Sequence, residues 1–334
     1  MKKSEFVFGV MTYNQESIIC ETLESIKYQI ETYGKDIDCT IIITDDCSKD
    51  KTVKVIENWL KNNGELFCNI IKKYNKENKG VPYNYNAIMQ LIETEAEAFE
   101  IVAGDDLLST ENIFETTKDL SLNELMCTLP TYLIGNKIVV NRSMLERQFW
   151  LMNKRLTKIQ CQRLFKMSML IHSPSAVYSK YLYNEGRCWE LNSQFRLFED
   201  DPSWYSMFKN VSDMKVKISG DIQVLYRISE KSISNRKVND AAKKAFEDEL
   251  HKLYKIYIND GNCLDRLYFG LKLNVFTHKL RLDRILDKLV HLRFWFFCRT
   301  HSFRFRQYSN KVYQEVEKQQ RFYDAIKCKI NEDA

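Results

Sequence analysis

The chain has 334 residues, 44% of them hydrophobic and 28% charged, with a net charge of +5. That composition excludes wholesale disorder and leaves room for two domains, or for one large domain with an appendage. No run of about 18 uncharged apolar residues is present to span a bilayer. The ten cysteines are scattered without a Cys-x-x-Cys pair, which points to reduced thiols rather than disulfides or a zinc site.

The segment Met1 to Glu5 is too short and polar for a signal peptide, so a cytoplasmic protein is expected. Phe6 to Met11 is an apolar run ending at Thr12-Tyr13-Asn14, and a helix is predicted over Glu16 to Glu31, where Ile18, Thr22, Ser25 and Ile26 keep helical spacing. A β-branched run, Cys39 to Thr44, ends at Asp45-Asp46-Cys47-Ser48. It is followed by a helix over Lys51 to Asn63, closed by Gly64. Phe67 to Ile71 reads as a third strand, Pro82 opens a helix to about Glu95, and Phe99 to Val102 is a fourth strand that delivers Gly104-Asp105-Asp106.

This alternation describes a mostly parallel sheet flanked by helices, in which ligands bind beyond the carboxyl ends of the strands. Two adjacent carboxylates such as Asp105 and Asp106 either cap the next helix or hold a cation. Because Thr12 to Asn14 and Asp45 to Ser48 fall at the same edge, a binding site is the expected reading. Neither a dinucleotide glycine motif nor a P-loop is present.

Beyond Thr110, Thr131 to Val140 is predicted as a hairpin turning at Gly135-Asn136, Ser173 to Tyr178 as a strand, and Lys215 to Ile228 as one strand. Glu199-Asp200-Asp201-Pro202 is a second dense carboxylate cluster at a helix start. From Asp240 the sequence is helical. Between Arg266 and Arg306 ten Lys and Arg face only Asp283 and Asp287, so the basic character is concentrated there. Ile285, Leu289, Leu292 and Phe296 keep helical spacing, with Trp295, Phe303 and several arginines interleaved. Such a segment suits either an anionic membrane surface or a core-packing helical hairpin with a solvated basic face. Nucleic acid is not expected, since no binding motif accompanies the charge.

Thr12-Tyr13-Asn14, Asp45-Asp46-Cys47-Ser48 with Asp50 and Thr52, Asn78-Lys79-Gly80 with Asn86, and Gly104-Asp105-Asp106 together resemble, in order and spacing, the GT-A domain of glycosyltransferase family 2. Glu199-Asp200 and Tyr226-Arg227 with Ser232-Ile233-Ser234 continue the likeness more loosely. The resemblance implies a GT-A domain over residues 1–235 (a nucleotide-sugar half, 1–120, and an acceptor half, 121–235) followed by a basic, aromatic helical region, 236–334. It implies an inverting, metal-dependent transfer from a nucleotide-sugar donor, a UDP-sugar, to a hydroxyl of a cell-surface polysaccharide or a lipid-linked glycan.

By the same resemblance Thr12, Tyr13, Asn14, Asp45, Asp46, Ser48, Asn86, Asp105 and Arg227 would bind the donor, with Thr12, Tyr13 and Asp46 at the nucleobase. Asp106 would hold Mg²⁺ or Mn²⁺, and Asp200 with Glu199 would be catalytic, Asp200 as the base. The chain departs from the family pattern at Ala103, where a further aspartate is frequent, at Met11 and at Cys47. The alternative is a non-catalytic scaffold or membrane-binding protein built on a degenerate GT-A domain. The C-terminal helices would place the protein on the inner face of the cell membrane.

Overall fold

A computed structural model of the chain describes residues 4–92, 98–118, 120–168, 170–172, 175–228, 240–274 and 282–332. The N-terminal sheet is built from β1 (Ser4–Thr12), β2 (Ile37–Asp45), β3 (Asn69–Tyr74) and β4 (Ala98–Ala103), connected through α1 (Ile19–Tyr33), α2 (Thr52–Asn63) and α3 (Val81–Leu91). Its order is β3-β2-β1-β4 and every pairing is parallel. Parallel strands are covered on both faces, which is why they stand out in the sequence as continuous apolar runs. Phe6, Phe8 and Val10 of β1 pack with α1 and α2, whereas Val7 belongs to the core under α3.

Strand register fixes the site edge. Thr12 lies opposite Asp45, and Met11 opposite Ala103, so the loops leaving β1, β2 and β4 emerge side by side. The chain order reverses at β1 and β4, the kind of switch point where such sheets bind ligands.

Thr22, Ser25 and Gln29 make the inward face of α1 polar, and each is buried. They satisfy the backbone that follows β4: Thr22 donates to the Asp106 carbonyl (2.7 Å), Ser25 accepts from the Leu108 N–H (3.0 Å), and Gln29 donates to the carbonyls of Ser109 and Glu111. That segment forms β5 (Leu107–Leu108) and α4 (Ile113–Lys118).

The second half comprises β6 (Glu124–Cys127), β7 (Thr131–Ile134), β8 (Lys137–Val139), α5 (Arg142–Met152), α6 (Lys158–Lys166), β9 (Ala176–Tyr178), α7 (Lys180–Glu185), α8 (Cys188–Asn192), α9 (Asp200–Asn210), β10 (Lys215–Ile218) and β11 (Val224–Ile228). They make two small mixed sheets, β10-β6-β9 and β5-β11-β7-β8. The hairpin at Gly135 forms as expected, with β7 and β8 antiparallel. The single strand expected over Lys215 to Ile228 is instead two strands in different sheets. Ser219 and Asp221 turn the chain between them, the Ser219 hydroxyl donating to the Asp221 carboxylate (2.5 Å) and accepting from its N–H (3.1 Å). The third strand lies later than expected because Gly64–Leu66 forms a short 3₁₀ turn. Ser232 to Ser234, and the parts of the expected helices and strands over residues 93–95, 173–174 and 275–278, lie outside the described residues.

The remaining helices are α10 (Asp240–Asp260), α11 (Cys263–Leu273), α12 (Leu282–Thr300) and α13 (Ser302–Glu332). They share the cores of the preceding residues: Leu253, Tyr257, Phe269 and Phe294 join the core beneath α3, and Val312, Tyr323 and Ile326 complete the one around β7 and β11. Polar contacts fix α13 in register. Gln319 bonds both the Thr110 N–H (3.0 Å) and its hydroxyl (2.7 Å), and Gln320 accepts from the Ile138 N–H (2.8 Å).

Arg227 of β11 is buried at the junction of these parts. Its guanidinium donates to the Glu21 carboxylate and to the Asp105 carbonyl (2.7 Å), its N–H donates to Asp106 Oδ1 (2.8 Å), and the Tyr323 ring covers it at 6.0 Å. Lys327 of α13 reaches the other Glu21 oxygen (3.0 Å). Burial works against the Arg227 charge, but Glu21 and Tyr323 outweigh it and hold the guanidinium above its ordinary pKa.

Two predictions follow from this packing. Glu100, on the β4 face that by register carries Phe8 and Val102, is pushed by burial from 4.5 to about 8. Folding therefore takes up a proton between those values, and stability declines as pH rises from 4.5 through 8. Glu100→Gln should flatten that slope and raise the thermal midpoint at pH 8, as read by thermal denaturation across the range; an unchanged slope would show that Glu100 is not buried as an acid. Glu21→Ala, which strands the Arg227 charge, should cost about 3–5 kcal/mol in chemical denaturation. Lys327→Met, at the partly exposed end of the same cluster, should cost far less.

Candidate functional site

The loops after β1 and β2 are stitched together by their own side chains. Asp45 accepts from the Thr12 hydroxyl (2.9 Å) and from the Ser48 N–H (2.8 Å) and hydroxyl (2.5 Å). Asn14 receives the Lys49 N–H on its side chain (2.7 Å), while its own N–H donates to Ser48 (2.8 Å). Thr52 accepts from the Gln15 N–H (2.7 Å), and Asp50 from the Glu16 N–H (3.1 Å). Thr12, Asn14, Asp45 and Ser48 therefore shape the site edge chiefly by holding these loops. Asn14 and Cys47 take positive φ, at 54° and 65°, which accounts for the tight turns. Tyr13 is left exposed on this edge.

Asp46 is buried and accepts from the N–H groups of Lys79 (2.7 Å) and Gly80 (2.9 Å) and from the Asn75 amide (3.1 Å). It thereby anchors the Asn78-Lys79-Gly80 loop as a wall beside β2. Gly80 has φ +89°, and a Cβ there would lie 2.4 Å from the Arg196 carbonyl. Only glycine fits that crossing.

Gly104 plays a comparable part at the end of β4, where a Cβ would meet the Gln15 side chain at 2.3 Å and Thr12 Cγ2 at 2.8 Å. This close approach brings Asp105 and Asp106 against the β1 loop. The two carboxylates differ in setting. Asp106, the expected metal ligand, is 2% exposed and turned toward β11, with Oδ1 on the Arg227 N–H. Asp105 is the more accessible of the two. Burial raises both pKa values, and the Asp105 charge pushes Asp106 well up.

Arg227 also differs from its expected role at the donor. Its guanidinium is spent on Glu21 and the Asp105 carbonyl, so it sets the position of the carboxylate loop from behind.

In the second half, Asp200 and Asp201 occupy the first turn of α9, and Asp200 Oδ1 accepts the Asp201 N–H (2.8 Å). Burial, reinforced by Asp200, pushes both Glu199 and Asp201 up to about 8. The loop before them is fixed by Glu249 of α10, which accepts the N–H groups of Arg196 (2.7 Å) and Leu197 (2.9 Å). Asn86 of α3 accepts from the Tyr183 hydroxyl (2.7 Å) and the Asn192 amide (3.1 Å). Asn192 in turn donates to Ser203 in α9 (2.9 Å). A chain of hydrogen bonds therefore runs from α3 to the helix that carries Asp200. Glu21, Tyr183, Asn192, Ser203 and Glu249 all serve the site, yet sequence reasoning did not single them out. Of these only Glu21 carried a signal, as a charge on the otherwise inward face of α1.

A divalent cation fits this edge as a guest shared with a substrate. Two neighbouring carboxylates with raised pKa values invite a hard, oxygen-seeking ion, which commonly takes one or two protein ligands and completes its shell with phosphate oxygens. Among the described residues no group of three or more His, Cys, Asp or Glu forms a closed metal cage.

Comparison with solved structures finds TarS of S. aureus, 18% identical with a TM-score of 0.51 over 81% of this chain; the chain spans 46% of TarS. Its 1-349 form in complex with UDP-GlcNAc gives a TM-score of 0.54 at 18% identity, covering 80% of this chain and 71% of that one. The mannosyltransferase PcManGT from Pyrobaculum calidifontis, in complex with GDP-Man and Mn²⁺, gives 0.52 at 12% identity, covering 98% and 87%. These likenesses establish the GT-A fold. No curated protein matches the chain. The family model "Glycosyl transferase family 2" matches residues 8–184, more than half of the 334, and the chain belongs to that family.

Proposed function

We propose that the protein is an inverting glycosyltransferase that moves a sugar from a nucleotide-sugar donor, a UDP-sugar, to a hydroxyl of a cell-surface polysaccharide or a lipid-linked glycan precursor. The observation that carries this reading is the convergence of Tyr13, the Asp45–Asp46 loops and Asp105–Asp106 at the switch point of a family 2 sheet. The structural neighbours with UDP-GlcNAc and with GDP-Man and Mn²⁺ support a nucleotide-sugar donor.

In this reading the nucleobase lies against Tyr13, with the Asp46-anchored loop as its wall. Asp105, as the more accessible carboxylate, holds Mg²⁺ or Mn²⁺, and Asp106 lends a second charge from behind. The cation would supply electrostatic neutralisation of the departing nucleoside diphosphate. Asp200 takes the proton of the acceptor hydroxyl as its oxygen bonds to the anomeric carbon and the bond to the diphosphate breaks. Glu199 and Asp201, with pKa values of about 8, keep their protons near neutrality, so the base role falls to Asp200. Attack opposite the leaving group inverts the anomeric centre without a covalent enzyme intermediate.

The exposed aromatic and basic residues of α12 and α13 support peripheral contact with an anionic membrane, on its cytoplasmic face. Among the described residues no helix is long and apolar enough to cross a membrane.

Calorimetry with a panel of nucleotide sugars and Mn²⁺ tests the donor assignment. Binding of one donor, weakened by Asp105→Asn, is the expected result, and silence toward every donor would favour a scaffold. In transfer assays Asp200→Asn should slow the reaction by about 10²- to 10⁴-fold with donor binding nearly unchanged. Glu199→Gln mimics the protonated acid and should keep most of the rate.

A further inference from the structure

A cavity of about 480 Å³ opens between α5, α6 and α12, away from the carboxylate edge. Lys154, Arg155, Arg163 and Arg293 line it over an apolar floor that includes Trp150 and Leu164, and no acid is among its lining residues. Lys154, Arg155 and Arg163 form no ion pair with any described residue, and all three are exposed. Lys154 lies 4.9 Å from the Phe297 ring and 5.8 Å from that of Trp150; Arg293 lies 5.0 Å from Trp150. Burial lowers the Arg293 pKa, as expected for a cation drawn against apolar surface. A hollow lined by basic side chains, with no acid among its lining residues, is suited to an anion.

The surroundings select the kind of anion. Arg293 belongs to α12, whose outer surface carries Leu292, Trp295 and Phe296 at 55%, 47% and 64% exposure, continued across the break into α13 by Phe303 at 73%. Arg299 lies over the Trp295 ring at 5.7 Å, and Arg304 and Arg306 follow. Large apolar side chains standing in water beside a cationic hollow suit a ligand with an apolar body and a phosphate head. A small soluble phosphate would leave the aromatic row without a partner. Indole and arginine side chains are suited to the headgroup level of a bilayer, where one end of the side chain is wet and the other apolar.

We infer that the Lys154, Arg155, Arg163 and Arg293 cavity is a binding site for the phosphate headgroup of an anionic membrane lipid, seated while the Leu292, Trp295, Phe296 and Phe303 face enters the interfacial layer. The inference rests on the membrane contact proposed above and is independent of the identity of the sugar donor. It converts a diffuse attraction into a specific one: two elements that share α12 engage the same leaflet, one by insertion and one by charge pairing.

The test is flotation of the full chain with vesicles of phosphatidylcholine, with or without phosphatidic acid. Wild-type protein should partition preferentially to the anionic vesicles. Arg155→Gln/Arg163→Gln should lose roughly 10- to 30-fold of that preference, since a basic side chain near such a surface is worth about a factor of five. Lys54→Gln/Lys61→Gln, on the exposed side of α2 and with the same change in charge, should behave like wild type. Arg155→Lys/Arg163→Lys, which keeps the charge, should retain binding. Equal losses from the two Gln variants would show diffuse attraction and overturn the cavity assignment, while membrane contact would stand. Failure of wild type to float with either vesicle would remove both. If inorganic phosphate raised the thermal midpoint as much as the anionic vesicles did, the cavity would be a soluble-phosphate site instead.

Discussion

The pairing of Glu21 with Arg227 is the interaction on which the rest of the arrangement turns. A guanidinium removed from water is tolerated only with a counter-charge and with its remaining donors satisfied. Here the partner comes from the first helix, the guanidinium also grips the Asp105 carbonyl, and the backbone of the same residue holds Asp106. Lys327 and Tyr323 close the cluster from the last helix. Four elements distant in sequence are therefore tied at one point directly behind the carboxylate loop. The reactive edge is stiff because its back is fastened.

The same constraint bears on the two carboxylates that sit side by side at this edge. Asp106 is stabilised by a backbone N–H and by the proximity of Arg227, yet burial and Asp105 still raise its pKa. At α9 the arrangement is parallel in logic: burial first, and the neighbouring Asp200 second, lead two of three consecutive acids to favour the protonated form. In both places burial, reinforced by a neighbouring carboxylate, sets adjacent acids apart chemically.

Much of the first half was legible in the sequence, because parallel strands buried on both faces appear as apolar runs closed by polar loops. The order of those runs placed Thr12, Asp45 and Asp105 at one edge before any coordinates. The division of Lys215 to Ile228 into two strands was not anticipated, since its β-branched content outweighed the Ser219-Gly220-Asp221 turn signal. The role of Arg227 depended on a partner 206 residues away, which no local pattern encodes. Helix α12 exposes a different limit: Phe294 and Cys298 face inward while Leu292, Trp295 and Phe296 face outward. Apolar residues on two sides of a helix do not reveal which side the fold will cover. Of the two readings left open by the sequence, core packing holds for the face that carries Phe294 and Cys298, while the face that carries Leu292, Trp295 and Phe296 is exposed.

The register of α13 carries a further consequence. Gln319, Gln320, Tyr323 and Lys327 reach back to Thr110, Ile138, Arg227 and Glu21. The clasp behind the carboxylates is thus completed from the far end of the chain, Lys327 meeting Glu21 across 306 positions of sequence. A truncation that removes α13 would therefore strip the buried Glu21–Arg227 pair of both Lys327 and the Tyr323 ring, although neither lies at the carboxylate edge itself.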